Sequence, residues 1–215
     1  MDSASWDIYE VIDIFLLLFI GIGPKIALMP FVELTQGMDA GTKARVTRKM
    51  LVTAGTVAVV LLVLGEFLRR LLHFSTGALS VASGIILVII AVRMVLGQTN
   101  DKPEQREVDE RDPLEIAVFP LAVPYLLNPA GIVVLVTASA NAQSAWHIAV
   151  VLLVVALVLA LDVGVFRWAN RVSDHLDKGR MLVTEKVFGF LLAALAVQLG
   201  LNGLDDVGVI QLSGH

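Results

Sequence analysis

Two short motifs place glycine, proline and a polar or charged residue inside long apolar runs. The first is Phe19–Pro24 (FIGIGP), followed by Lys25, and the second is Pro124–Pro129 (PYLLNP), followed closely by Gly131. Proline removes a backbone N–H and obstructs the preceding helical turn, so each motif interrupts a helix and frees backbone groups. Free N–H groups at the start of the next half-helix suit a carboxylate, and free carbonyls before the break suit an ammonium group or a cation. Two such breaks that face each other would match a zwitterion.

The two motifs occupy equivalent positions in an internal repeat. Pro24 and Pro129 are 105 residues apart (129 − 24), and the same offset relates Gly84 to Gly189. Hydrophobic segments interrupted at corresponding positions of two halves are typical of transporter binding sites near the bilayer midplane. The alternative is a duplicated structural unit without a transport role.

Long apolar segments carry these motifs and predict an integral membrane protein. The chain is 57% hydrophobic and 17% charged with a mean hydropathy of +0.81, whereas soluble domains are about 45–50% apolar and about 25% charged. A spanning helix needs roughly 20 apolar residues. Six segments qualify, namely Val11–Leu34, Leu51–Leu72, Ala78–Gly97, Ile116–Ala138, Ile148–Phe166 and Leu182–Leu201.

The predicted fold is an all-α membrane protein of six transmembrane helices, arranged as two inverted three-helix repeats with helices 1 and 4 broken near the midplane. Inversion follows because three spans is an odd number, so the second repeat enters the membrane from the opposite side. The repeats are 1–97 and 115–215, joined by a charged cytoplasmic linker at 98–114.

Basic residues predict the orientation. They concentrate in the segments between helices 1 and 2, 3 and 4, and 5 and 6: Lys43, Arg45, Arg48, Lys49, Lys102, Arg106, Arg111, Arg167, Arg171, Lys178 and Arg180. The positive-inside bias places these segments in the cytoplasm and both termini outside a cell (cytoplasmic) membrane. We interpret them as topology signals and predict no binding of nucleic acid.

Charged residues within the predicted spans are costly unless they face a cavity or a partner. Lys25 could anchor a carboxylate, serve as a proton-coupled site, form a structural ion pair or extend towards the interface. Asp162 and Glu66 could pair with it. Local pairs, Asp162 with Arg167 and Glu66 with Arg69–Arg70, are the favoured interpretation for these two carboxylates.

Several segments resemble the MarC family of six-helix membrane proteins: Glu115–Pro124 continuing to Asn128–Ile132, Ser83–Leu87 with Met94–Gly97, Phe188–Gln198, and Leu34–Met38 before a basic stretch. The resemblance covers nearly the whole chain except the central linker and helix 5. It implies a polytopic permease or exporter related to neutral amino-acid transporters, with glycine and alanine as typical substrates. The resemblance also suggests cation coupling, and places the site at the broken helices.

The first break departs from the family pattern, in which an Asn or Asp precedes the proline and a Gly-Asn pair follows. Here Gly23 replaces the polar residue, and Ile26 and Ala27 replace the Gly-Asn pair, while Lys25 is added. The second break keeps its polar-Pro-x-Gly character. The family's fold is therefore the firmer expectation, and its substrate the weaker one.

We predict a secondary transporter of small neutral amino acids such as glycine or alanine, working by alternating access. The predicted substrate-binding residues are Gly23, Pro24, Lys25, Asn128, Pro129 and Gly131. Backbone groups would bind the charged ends of the solute, Asn128 would add a side-chain hydrogen bond, and Lys25 would tune the charge. The alternatives are an ion channel or pore, an exporter of another small solute, and a non-transporting assembly factor.

Enzyme motifs are missing from the sequence, which has no HExxH, no nucleophile elbow and no phosphate-binding Gly-Lys-Ser/Thr pattern. The four histidines are isolated and the chain has no cysteine, so we predict no metal site and no cofactor. The predicted partners are the solute and the lipid bilayer. Coupling to sodium or protons, and a homo-oligomer, are left open.

Overall fold

The computed structural model describes residues 8–96, 112–142, 144–172 and 178–211. These residues form helices and no strand. The helices are α1 (Ile8–Gly21), α2 (Pro24–Leu34), α3 (Ala40–Leu72), α4 (Thr76–Leu96), α5 (Pro113–Ile116), α6 (Pro129–Asn141), α7 (Ala145–Val172) and α8 (Lys178–Asp206). Between α5 and α6, the segment Ala117–Leu126 winds irregularly, with extended backbone at Phe119 and Val123 and a cis proline after each of them.

Within the described residues, five helical segments are long and apolar enough to cross a membrane: Val11–Leu34, Ala40–Leu72, Thr76–Leu96, Ala145–Arg171 and Lys186–Asp206. A sixth candidate consists of Pro113–Leu126 followed by Pro129–Asn141, with a bend of 70° between the two parts. The predicted all-helical membrane protein is thus confirmed, with five or six spans close to the positions that hydropathy indicated. The linker at 98–114 falls outside the described residues, except for its last three positions.

The start of α3 differs from the prediction, because the helix begins at Ala40 and not near Leu51. The Asp39 side chain accepts hydrogen bonds from the backbone N–H groups of Gly41 (2.9 Å) and Thr42 (3.1 Å) and so caps the helix. Hydrogen bonds from Thr42, first from its side chain and then from its backbone, lower the pKa of the Asp39 carboxyl. The first four basic residues therefore lie on helical turns and not in a loop.

Close backbone contact joins α4 to α8. A Cβ added to Gly84 would lie 2.8 Å from the Ala196 carbonyl oxygen, and one added to Gly189 would lie 3.2 Å from that of Ala91. These pairings make the two helices antiparallel. Small residues allow such proximity, and van der Waals packing then stabilises the pair in lipid.

The main core lies among α1, α2, α3, the 117–126 segment, α6 and α7. Phe31 of α2 and Phe166 of α7, both fully buried, meet edge to face with ring centroids 5.1 Å apart. Large apolar side chains also cover the outside of the spans, as in Phe67, Leu153 and Phe190. Such a surface is suited to lipid and costly in water.

Candidate functional site

The two motifs fold into nearly identical helix starts. Helix α1 ends at Gly21 and α2 starts at Pro24, with Gly23 as its N-cap at φ −88° and ψ 165°. Helix α6 starts at Pro129, with Asn128 as its N-cap at φ −83° and ψ 166°. Proline suits the first helical position because its missing N–H would have no intrahelical partner there. Both motifs thus coincide with a helix start in the structure.

The two motifs also touch each other through their backbones. A Cβ added to Gly21 would lie 2.6 Å from the Gly131 nitrogen, and one added to Gly131 would overlap the Gly21 carbonyl group. A real Cβ cannot approach backbone atoms so closely, so both positions require glycine in this arrangement. The crossing point of the first and fourth apolar segments is therefore a glycine–glycine contact.

Asn128 joins the two motifs with hydrogen bonds. Its backbone N–H donates to the Gly21 carbonyl (2.9 Å) and its side-chain Nδ2 donates to the Ile20 carbonyl (2.8 Å). Its Oδ1 accepts from the Gly131 N–H (3.1 Å), which caps α6. Asn128 is 0% exposed. In this conformation Asn128 forms its hydrogen bonds with backbone groups of the protein itself. It thereby pairs the carbonyl groups that the end of α1 would otherwise leave without a partner.

Gly23 stands where the second motif has Asn128, and steric crowding accounts for the difference. A Cβ on Gly23 would overlap the carbonyl oxygen of Phe19, one turn earlier in α1. A polar side chain cannot be placed there without moving the backbone. Helix α2 consequently begins without a side-chain cap, and the N–H groups of its first turn keep their capacity to bind an anion.

Lys25 is exposed, whereas the other predicted site residues are buried. Its Nζ lies 5.3 Å from the ring centroid of Phe19, a cation–π geometry. Gly23, Pro24, Asn128, Pro129 and Gly131 are all buried. Hydrogen bonds and close backbone contacts between the two motifs run from Gly21 and Ile20 to Asn128 and Gly131.

The two acidic residues considered as partners of Lys25 behave differently from each other. Glu66 bonds to Arg69 (2.6 Å) and to Arg70, as the sequence predicted. Asp162 does not pair with Arg167, and that prediction was wrong. Five residues along a helix correspond to a rotation of about 140°, so the two side chains lie on different faces. Asp162 is fully buried, while Arg167 is exposed.

The burial of Asp162 was not predicted from the sequence, although the spacing of apolar residues on α7 indicates it. The inward face of α7 repeats every three or four residues and is apolar apart from this position: Val151, Val154, Val155, Val158, Phe166 and Ala169. Extending that spacing places Asp162 on the same stripe.

Among the described residues, no group of three or more His, Cys, Asp or Glu residues could hold a metal ion.

These features define a polytopic α-helical membrane protein in which the first and fourth apolar segments meet at glycine–proline motifs. Residues 8–207 match the family described as MarC family integral membrane protein, and the chain belongs to that family. The resemblance in the sequence motifs is thereby confirmed.

Relatives of this chain come from archaea and bacteria. It is 28% identical over 184 residues to the UPF0056 membrane protein MJ1677 of Methanocaldococcus jannaschii, covering 85% of this chain and 90% of the relative. It is 28% identical over 205 residues to the UPF0056 membrane protein YvbG of Bacillus subtilis, with 92% and 96% covered. The UPF0056 inner membrane protein MarC of Escherichia coli is 23% identical over 214 residues, with 94% and 97% covered. No solved structure matches the chain significantly.

Proposed function

We propose that the protein is a secondary transporter of small neutral amino acids such as glycine or alanine. It would work by alternating access in the cytoplasmic membrane, with both termini outside and no enzymatic activity. The observation that carries this proposal is the buried contact between Gly21 and Gly131, where two interrupted apolar segments meet. Irregular backbone at membrane depth is tolerated only where it is buried in protein or lines a cavity.

An inverted repeat is part of the proposal, and the contacts between α4 and α8 support it. Gly84 in the first half corresponds to Gly189 in the second, and Ala196 in the second half corresponds to Ala91 in the first, each with an offset of 105. Gly84 contacts Ala196 and Gly189 contacts Ala91, so the same contact is made twice with the two halves exchanged. Such symmetry lets one repeat rock against the other around a fixed site, which is how many secondary transporters alternate.

The solute's carboxylate would bind at the uncapped start of α2. The first turn there has no side-chain acceptor, because Gly23 is its N-cap, and the positive end of the helix dipole favours an anion. Gly21 and Gly131 are in contact in the described conformation, so space for a solute between them would open only when the repeats separate. Lys25, which is exposed and follows Pro24, would add positive charge near the start of α2.

Asn128 would have two roles in this scheme. In the described conformation it ties the two motifs together through Ile20 and Gly21. When the repeats separate, these carbonyls and the Asn128 amide would become available to the solute's ammonium group. Pro129 and Gly131 would hold the α6 backbone in place for that exchange.

Transport by purified protein in liposomes tests the proposal. Uptake of labelled glycine and alanine should saturate with concentration and should accelerate when unlabelled solute is present inside. A channel would instead give high flux that saturates weakly and shows no such stimulation. Absence of flux for a panel of small neutral amino acids, in protein shown to be folded, would overturn the proposal.

A further inference from the structure

Asp162 is a buried carboxyl group without a hydrogen-bond partner. Both of its side-chain oxygens are inaccessible and neither has a partner among the described residues. Its neighbours on the inward stripe of α7 are apolar, with Val158 one turn before it and Phe166 one turn after it. An ionised carboxylate in such surroundings costs several kcal/mol, so the enclosed group carries its proton.

The position of Asp162 lies between the two proposed repeats. Helix α7 belongs to the second repeat, yet its contacts on either side of Asp162 are with the first. Leu159 lies against Gly55, and Phe166 packs on Phe31. Asp162 lies one turn before Phe166 on the same buried stripe of α7, between these two contacts. A movement that separates α7 from α2 and α3 would therefore bring water to Asp162.

Among the described residues, no charged side chain of the helices around Asp162 forms a hydrogen bond with its carboxyl group. The helices packed against α7 are α1, α2, α3 and α6, and α6 has no ionisable residue. The described ionisable residues of the other three helices and of α7 itself are Tyr9, Asp13, Lys25, Glu33, Lys43, Arg45, Arg48, Lys49, Glu66, Arg69, Arg70, His147, Arg167 and Arg171. None of them hydrogen-bonds to the Asp162 carboxyl oxygens.

The surroundings suit a proton better than a metal cation. A bound metal cation takes several oxygen ligands from carboxylates, carbonyls or water. Asp162 has no polar partner in this conformation. A proton needs a single oxygen, to which it adds by forming one O–H bond.

We propose that Asp162 is the group that binds and releases the proton coupled to solute movement. The O–H bond of Asp162 forms when the repeats expose this residue to the side of higher proton concentration, where hydronium breaks one of its own O–H bonds to supply the proton. It persists while Asp162 is enclosed and breaks on the other side, where the proton passes to water. This inference rests on the proposed transport function and adds to it the identity of the coupling residue.

The test is transport of labelled glycine and labelled alanine in liposomes with and without an inward proton gradient. We expect the gradient to drive accumulation by the wild type and by Asp162→Glu. Asp162→Asn, which resembles the protonated acid, should lose this accumulation while counterflow persists. Accumulation by Asp162→Asn equal to wild type, or a wild type driven by sodium and not by protons, would overturn the inference.

A second measurement does not depend on transport, and so separates failure of this inference from failure of the proposed function. The unfolding temperature of the purified protein is followed from about pH 5 to about pH 9, above the ordinary Asp pKa of about 3.9. Enclosure of the neutral acid predicts that this temperature falls as pH rises in the wild type. Asp162→Asn should lose that fall, while Asp13→Asn, at an exposed position on α1, should keep it. Equal pH dependence in the wild type and Asp162→Asn would contradict the inference even if transport is confirmed.

Discussion

At Asn128 a single amide side chain bonds to two helices, donating to the Ile20 carbonyl of α1 and accepting from the Gly131 N–H of α6. The bond to Gly131 is buried and the bond to Ile20 is partly buried, and an unpaired carbonyl or N–H is costly in such surroundings. The bonds therefore fix how the two motifs meet. Gly23, at the equivalent position, has no side chain and provides no such connection, so the two halves of the site differ in chemistry.

Asn128→Ala should destabilise the protein by about 1–3 kcal/mol, because it leaves the Ile20 carbonyl unpaired and removes the α6 cap. Thermal unfolding of purified protein measures the change. Asn141→Ala is the matched control, since Asn141 is exposed at the end of the same helix, and it should have little effect. Equal unfolding temperatures for the two variants would refute the structural role of Asn128.

The residues of the site were partly predictable. Proline and glycine identify where a helix is interrupted, because their effects on the backbone are local. The sequence could not indicate that the Asn128 side chain donates a hydrogen bond to the Ile20 carbonyl, 108 positions away. That bond depends on how the helices cross. Asp162 was misassigned because proximity in sequence to Arg167 was given more weight than the helical face.

At the scale of elements, contact between α4 and α8 depends on glycine at equivalent positions of the two halves. Gly84 meets the Ala196 carbonyl, and Gly189 first meets the Val95 side chain, with a Cβ distance of 2.8 Å in each case. A side chain can move aside more easily than a backbone. Substitution should therefore be tolerated less at Gly84 than at Gly189.

Gly84→Ala should destabilise the protein by about 1–3 kcal/mol through overpacking. Gly164→Ala is the control, because a Cβ on Gly164 in α7 meets nothing within 4 Å, and alanine should there add about 1 kcal/mol of helix stability. Unfolding temperatures of the two variants should shift in opposite directions. A stabilised Gly84→Ala would show that α4 and α8 are not in close contact.

Element boundaries were less predictable than element identity. Hydropathy located the apolar spans, because about 20 apolar residues are needed to cross lipid. It placed the start of the second span near Leu51, whereas the Asp39 cap starts α3 at Ala40. Hydropathy treats the four basic residues that follow Asp39 as a loop, although they are compatible with a helix that extends beyond the membrane.

At the scale of the whole molecule, the proposed orientation places the two ends of α3 on opposite sides of the membrane. Arg45 lies near its start and Ser75 just after its end, and both are exposed. The chain has no cysteine, so a single introduced thiol reports its own position. The positive-inside bias predicts that the basic start of α3 faces the cytoplasm.

Ser75→Cys should react with a membrane-impermeant maleimide on intact cells. Arg45→Cys should react only after the membrane is permeabilised. The reverse pattern would invert the proposed topology and place both termini in the cytoplasm. Labelling of both variants in intact cells would show that α3 does not span the membrane.

The central claim is that a small solute crosses the membrane at the junction of Gly21, Asn128 and Gly131. Counterflow of labelled glycine and alanine in proteoliposomes tests it most directly, comparing wild type, Asn128→Ala and Asn141→Ala below the unfolding temperature of each. The account predicts saturable counterflow in the wild type and Asn141→Ala, and its loss in Asn128→Ala. Counterflow by Asn128→Ala at the wild-type rate would contradict it.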